Sequence, residues 1–184
     1  MKKVAMMAVN GSEPIEVLAP VDVLRRGGVE VTIVSCEAGD KIVTDQGIYL
    51  GADANVKDVD LLSFDMIVVP GGSGVEALKK NAALKDALTT FLAESRPVGS
   101  ICAGPTVLNE FGLLEGRKVT CYPGCEAGLP AGVFQEGIGV VRDGNLVTAS
   151  GPGLALDFGV ALLRQLMGDD VAEGVARGML MKNA

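Results

Sequence analysis

The feature that most limits what this chain can fold into is an alternation. Short, mainly apolar runs alternate with segments of helical periodicity, several of the runs closing on a glycine-bearing turn. Val4 to Val9 is the first run and stops at Asn10-Gly11-Ser12, and Val29 to Val34 is the second. Leu61 to Val69 holds the third, whose core Phe64-Asp65-Met66-Ile67-Val68-Val69-Pro70 ends at Gly71-Gly72, and Pro97 to Ile101 is the fourth. Strands that are apolar at successive positions are buried on both faces. The pattern therefore predicts a mainly parallel sheet with helices on both sides.

The intervening segments fit that scheme. Ser12 is expected to cap a helix running to Arg26, with Pro14 in its first turn and Leu18, Val21 and Leu24 three apart on its buried side; Gly27-Gly28 ends it. Residues 40–52 read as a short β excursion. Asn81 to Glu94 is a helix with Leu84, Leu88 and Leu92 at spacing four, and a helix from Ala103 to Phe111 stops at Gly112. Val119 to Cys121 reads as a strand segment. Asp143-Gly144 between two apolar runs, Ile138 to Val141 and Leu146 to Thr148, signals a hairpin. Helices over Leu154–Met167 and Asp170–Met179 close the chain, with Met179 and Met181 read as packing residues. No repeat or linker divides the 184 residues, so one domain over 1–184 is expected.

Composition removes several functions. Aromatic residues are 4% of the chain, Trp is absent and the formal charge is −7, which disfavours both base stacking and phosphate binding; no nucleic-acid partner is expected. No apolar run approaches a membrane span, and the stretch after Lys2-Lys3 is too short for a secretory leader. Four cysteines without such a leader suit a reducing compartment, so the expected location is cytoplasmic. The chain has no histidine. Ser-His-Asp and Cys-His catalysis and His-containing metal sites are thereby excluded, and proton transfer falls to carboxylates, Tyr, Lys, Cys or water. Cys121 and Cys125 lack the further ligands that zinc needs, and no metal or cofactor is expected. They read as a strand and a loop cysteine, or as resolving thiols for a nearby reactive one.

In sheets of this kind, functional groups gather beyond the carboxyl ends of the strands. Ser100-Ile101-Cys102-Ala103-Gly104-Pro105 has the layout of a nucleophile elbow, a tight strand-to-helix turn with small residues around one raised side chain. Unpaired N–H groups at a helix start would favour a Cys102 thiolate. The alternative is an inert, buried cysteine. Pro70-Gly71-Gly72-Ser73-Gly74 either offers bare N–H groups to an oxyanion or is a simple turn; it lacks the Lys-Ser/Thr ending of a phosphate loop. Glu16, in the first turn of the first helix, is either solvated or buried against Cys102. In the second case desolvation outweighs the helix dipole and keeps the carboxyl neutral. Ser150-Gly151-Pro152-Gly153 reads as a tight crossover or as an anion cradle. Cys36 reads as core packing, and Arg25 and Arg26 as solvated.

The blocks Gly11-Ser12-Glu13-Pro14-Ile15-Glu16, Val21 to Gly28, Val68-Val69-Pro70-Gly71-Gly72, Ser100 to Pro105, Lys118 to Pro123 and Ser150 to Gly159 together resemble the ThiJ/PfpI superfamily. They look most like the branch containing the parkinsonism-associated protein deglycase and its bacterial relatives. The resemblance implies a flavodoxin-like (class I glutamine amidotransferase-like) α/β three-layer sandwich, a homodimer, and Cys102 as the reactive cysteine. It also implies Glu16 beside the sulfur and the amides of Gly72 and Ala103 around it. Tyr122, Gly71 and Pro123 are the candidate substrate contacts. Two departures stand out: Tyr122 occupies a position where many members carry histidine, and Gln46 one where some carry arginine. A glyoxalase route through that histidine cannot run in the same way here.

Three activities follow from the resemblance. The first is deglycase or glyoxalase-like action on α-oxoaldehydes or on glycated protein thiols and amines. The second is oxidant sensing or redox-regulated chaperoning through Cys102. The third, peptidase or amidase action, is disfavoured by the missing histidine.

Overall fold

The structure, a computed structural model, describes residues 1–182. Nine strands and six helices follow in chain order: β1 (Lys3–Ala8), α1 (Pro14–Arg26), β2 (Glu30–Ser35), β3 (Lys41–Val43), β4 (Tyr49–Gly51), β5 (Ala54–Asn55), β6 (Met66–Val69), α2 (Val75–Leu78), α3 (Ala82–Ala93), β7 (Val98–Ile101), α4 (Pro105–Glu110), β8 (Val140–Asp143), β9 (Leu146–Ala149), α5 (Ala155–Met167) and α6 (Asp169–Gly178). Seven strands form one sheet in the order β5-β2-β1-β6-β7-β9-β8, parallel throughout except for the β8–β9 hairpin. β3 and β4 form a separate antiparallel pair. The result is the α/β flavodoxin-like sandwich that the sequence implied.

The apolar runs explain the two buried faces. Along β1, Val4, Met6 and Ala8 join the core beneath α1, α5 and α6, while Ala5 and Met7 join the core beneath α3 and α4. This is the two-residue alternation of a strand covered on both sides. Fully burying a side chain such as Phe91 or Phe158 contributes roughly 1.5–3 kcal/mol, and these two anchor opposite cores. β1 lies between β2 and β6: the chain runs from β1 to β2 on one side and crosses back from β5 to β6 on the other. That switch point opens the crevice where α/β sheets hold ligands.

Local corrections to the sequence reading have physical causes. The N-cap of α1 is Glu13, whose carboxylate accepts the Glu16 N–H at 2.8 Å. Ser12 turns inward instead, and its hydroxyl accepts the Val9 N–H. Leu18 is 43% exposed, whereas Val17, Pro20, Val21 and Leu24 are buried. Six residues from Leu18 to Leu24 amount to about 600° of helical turn, which puts the two on different sides. The segment Val119 to Cys121 makes only an isolated bridge, Val119 to Phe134, and does not join the sheet. Met179 and Met181 pack on the α1–α5–α6 core as read. Arg25 pairs with Asp53, and Arg26 with Asp22 one turn earlier in α1. Among the described residues no helix is long and apolar enough to cross a membrane.

Candidate active site

Beyond the carboxyl ends of β1, β6 and β7, three turns converge. The elbow comes first. Cys102 has φ 62°, a left-handed conformation that costs a non-glycine residue about 1–2 kcal/mol. The sheet holds it there: the Cys102 N–H donates to the Ala149 carbonyl at 2.8 Å, and its own carbonyl accepts the Tyr122 N–H at 2.9 Å. Two positions on, a Cβ at Gly104 would lie 2.5 Å from Ser100 Oγ and 2.6 Å from the Val69 carbonyl oxygen. Only glycine fits there, and so the helix can start immediately behind the thiol. Cys102 is 8% exposed, recessed but in touch with solvent.

Glu16 arrives from α1 and is fully buried. Its Oε2 accepts the Gly71 N–H at 2.8 Å. The carboxyl lies beside Cys102, the two flanking Gly71, and its Oε1 is buried with no hydrogen-bond partner. Gly71 is the spacer between them. A Cβ on it would fall 2.7 Å from Cys102 Cβ, 2.7 Å from Glu16 Oε2 and 2.8 Å from the Ala103 nitrogen. Burial pushes Glu16 up to about 7, with Glu13 and Asp45 adding to the rise and the contacts from Cys102 and Gly71 opposing it. The carboxyl is thus the buried, proton-holding kind rather than the solvated kind.

The backbone N–H groups of Gly72 and Ala103 are near enough to the Cys102 sulfur to favour its ionised form. They draw its proton off, but the larger effects run the other way. Burial, and after it the charge of Glu16, push the Cys102 thiol up. The expectation of a resting thiolate is therefore corrected: the N–H groups of one short turn do not offset desolvation beside a carboxylate. A thiol and an acid with a value near neutrality share the site, and between them they hold a transferable proton.

The remaining candidates fall outside this contact. Gly71 is buried and its N–H is taken by Glu16, so it spaces the pair rather than facing the mouth. Tyr122 is 49% exposed and, with Pro123, lines an open cleft against Ser150 to Leu154; a Cβ at Gly151 would rest 3.3 Å from its ring. Cys121 is buried and Cys125 partly so; both are free, as is Cys36. Burial, with a smaller push from their neighbours, raises Cys121 and Cys36 each to about 12. Among the described residues no three Cys, Asp or Glu side chains come together as a metal would need.

One contact escaped the sequence. Asp45, in the turn between β3 and β4, accepts the Ser73 N–H at 2.8 Å and the Ser73 hydroxyl at 2.5 Å. The two residues are 28 positions apart, in segments with no shared motif, and only the docking of the hairpin brings them together.

Comparison with known proteins identifies the chain's relatives. Residues 2–165 match the model of the DJ-1/PfpI family. The chain is 37% identical over 183 residues to the Arabidopsis thaliana protein named Protein DJ-1 homolog B, covering 98% of this chain and 42% of that longer protein. A Caenorhabditis elegans relative named Glutathione-independent glyoxalase DJR-1.2 is 30% identical over 171 residues, 92% of this chain and 91% of its own length. The structure of oxidized Toxoplasma gondii DJ-1 superposes with a TM-score of 0.94 at 33% identity, over 98% of this chain and 99% of that one.

Proposed function

The chain belongs to the DJ-1/PfpI family, and within it we propose a Cys102-dependent enzyme that converts α-oxoaldehydes, free or as early adducts on protein thiols and amines, to 2-hydroxy acids. The observation that carries this reading is the fully buried Glu16 carboxyl set beside Cys102, with Gly71 as the spacer between them. A general base works best when its value lies near the working pH, and Glu16 at about 7 meets that condition.

The chemistry then balances without a cofactor. As Cys102 Sγ bonds to the aldehyde carbon, the ionised Glu16 takes the thiol proton and the carbonyl π electrons move onto oxygen. The N–H groups of Gly72 and Ala103 stabilise that oxygen, and Glu16 returns the proton to it to give a hemithioacetal. Glu16 next removes the proton from the carbon bound to sulfur, forming an enediol, and delivers it to the neighbouring carbon, while the hydroxyl proton passes from the first oxygen to the second, directly or through water. The product is a thioester of a 2-hydroxy acid, which water hydrolyses to free the thiol. The net reaction is addition of one water to methylglyoxal to give lactate. The test is lactate formation from methylglyoxal by wild type and Cys102→Ser. Carbonyl loss without lactate, or lactate formed equally by both, overturns the proposal.

A second reading is favoured by the unpartnered Oε1 of Glu16. Peroxide oxidation of Cys102 to the sulfinic acid would place oxygens where that carboxyl, protonated, can donate to them, with the Gly72 and Ala103 amides on the other side. Intact-mass and peptide spectra after peroxide should then show two added oxygens at Cys102 alone. Oxidation spread over all four cysteines counts against it. The partner expected in either case is a second copy of this chain, covering the exposed Ile15 and Leu18 of α1 and Ile48 and Tyr49 of the hairpin. Sedimentation as a monomer at micromolar concentration would refute that association.

A further inference from the structure

The turn that carries Gly72 is tied down from outside the site. Glu13 N–H donates to the Gly71 carbonyl at 3.2 Å, and Gly74 N–H to the Gly11 carbonyl at 3.0 Å. Gly72 itself has φ 92°, and a Cβ there would collide with the Gly11 carbonyl oxygen and the Glu13 nitrogen. Between these anchors Ser73 is exposed, and what it binds is the Asp45 carboxylate, through both its N–H and its hydroxyl. The hairpin end that bears Asp45 is fixed in turn: Asp45 N–H donates to the Ser12 carbonyl at 3.2 Å, Gly11 N–H to Val43 at 2.8 Å, and Val43 N–H to Asn10 Oδ1 at 2.8 Å.

We propose that Asp45 is a positioning residue for the thiol site. Its two hydrogen bonds to Ser73 set the Pro70–Ser73 turn so that the Gly72 N–H addresses the Cys102 sulfur. This rests on Cys102 being the reactive group, not on which carbonyl it attacks. Asp45 touches neither the sulfur nor a substrate; it acts through Ser73 and Gly72. It also has a second, opposite influence. The ionisable groups that face Glu16 are Glu13 from the start of α1, Asp45 from the hairpin and Cys102 from the elbow. The negative charge of Asp45 therefore works against an ionised pair, while its hydrogen bonds work for one.

These two effects separate by substitution. Asp45→Asn keeps both contacts, its carbonyl accepting the Ser73 N–H and its amide donating to the Ser73 hydroxyl, but removes the charge. Asp45→Ala removes both. Ser73→Ala keeps the main-chain bond and loses the other. The readout is the rate of Cys102 alkylation by iodoacetamide from pH 5 to 9, mapped by peptide mass spectrometry. Losing the aim of one hydrogen bond to sulfur should slow Asp45→Ala by about fivefold at neutral pH, and Ser73→Ala by about twofold. Removing a partly screened charge should speed Asp45→Asn by about twofold. The opposite sign of the two Asp45 variants is the signature: a merely structural aspartate slows both, and a purely electrostatic one speeds both. Either same-sign result, or a wild-type rate in Asp45→Ala, overturns the inference while leaving the reactive thiol in place. If Cys102 of the wild type does not react, the reading of the site fails and the inference with it.

Discussion

Cys36 and Cys102 occupy matching places. Each is the residue immediately after a parallel strand, β2 for one and β7 for the other, and each sends its N–H on into the ladder, to Ala8 at 2.9 Å and to Ala149 at 2.8 Å. In both, burial is the chief cause that raises the thiol. The difference lies in what surrounds the sulfur. Cys36 has a neighbouring Glu37 charge and apolar packing against the α3-side core. Cys102 has a left-handed backbone that turns it out of the strand, the N–H groups of Gly72 and Ala103 nearby, and a buried acid whose own proton is loosely held. A strand-end position and a low exposure therefore do not make a thiol reactive. A proton acceptor and oriented dipoles favour reactivity, and of these two cysteines Cys102 has them beside it.

The most demanding test of that contrast is activity. Cys102→Ser should lower lactate formation by at least about 10³-fold, the scale of losing a nucleophile, while Cys36→Ser should stay within about twofold of wild type by the same rate measurement. A comparable loss in Cys36→Ser would break the comparison. The next effect is in stability. Glu16 is raised in the fold from 4.5 to about 7, so its contribution is fully present below pH 4.5 and is lost as pH rises to about 7. Wild type should therefore lose about 3 kcal/mol relative to Glu16→Gln across that interval, at 1.36 kcal/mol per unit. Urea melts of the two proteins at pH 4.5 and pH 8 measure it, and parallel pH dependences would mean that the carboxyl is not buried as described.

Packing around the two thiols differs in the same direction. A methyl at Gly71 would strike Cys102, Glu16 and Ala103 together, whereas one at Gly39, three residues past Cys36, meets nothing within 4 Å. Gly71→Ala should cost about 1–3 kcal/mol of stability, the usual price of overpacking. It should also shift the Cys102 alkylation profile. Gly39→Ala should remain within about 0.5 kcal/mol by thermal melting. Equal melts for the two would show that the Cys102 turn yields more easily than its contacts imply.

What the sequence disclosed follows from range. The sheet, its parallel core strands and the elbow were legible because each is written in a few consecutive residues: an apolar run, then a glycine turn, then a helix start. The buried Glu16, with its raised carboxyl, was legible only once it was set against Cys102, since burial is a tertiary property. Two errors at α1 came from local rules that tertiary contacts overrode. Ser12 had the chemistry of a cap but is taken by the Val9 N–H, and Leu18 fitted a spacing of three without lying on the buried arc. The resting state of the thiol was misjudged because a helix-start dipole is visible in sequence and the competing desolvation is not. Asp45 was invisible for the plainest reason: nothing in the chain between Asp45 and Ser73 announces that a hairpin will fold back across the site.

The smallest effect concerns the mouth rather than the pair. Tyr122, with Pro123, lines the cleft against Ser150 to Leu154, and its hydroxyl can donate or accept a hydrogen bond. Its ring, half exposed against Gly151, is placed to shape the cleft. If Glu16 alone moves the proton, Tyr122→Phe keeps that shape and should change kcat for methylglyoxal by less than about twofold, with a kcat profile that still turns at the Glu16 value near 7. If instead the phenol donates to the developing alkoxide, kcat falls and KM does not, because the lost hydrogen bond exists only in the transition state. Such a fall, of tenfold or more, would move one end of the proton route from α1 to the 119–125 segment. It would also mean that Cys102 differs from Cys36 by a second acid, on the solvent side of the sulfur, as well as by the one beneath it.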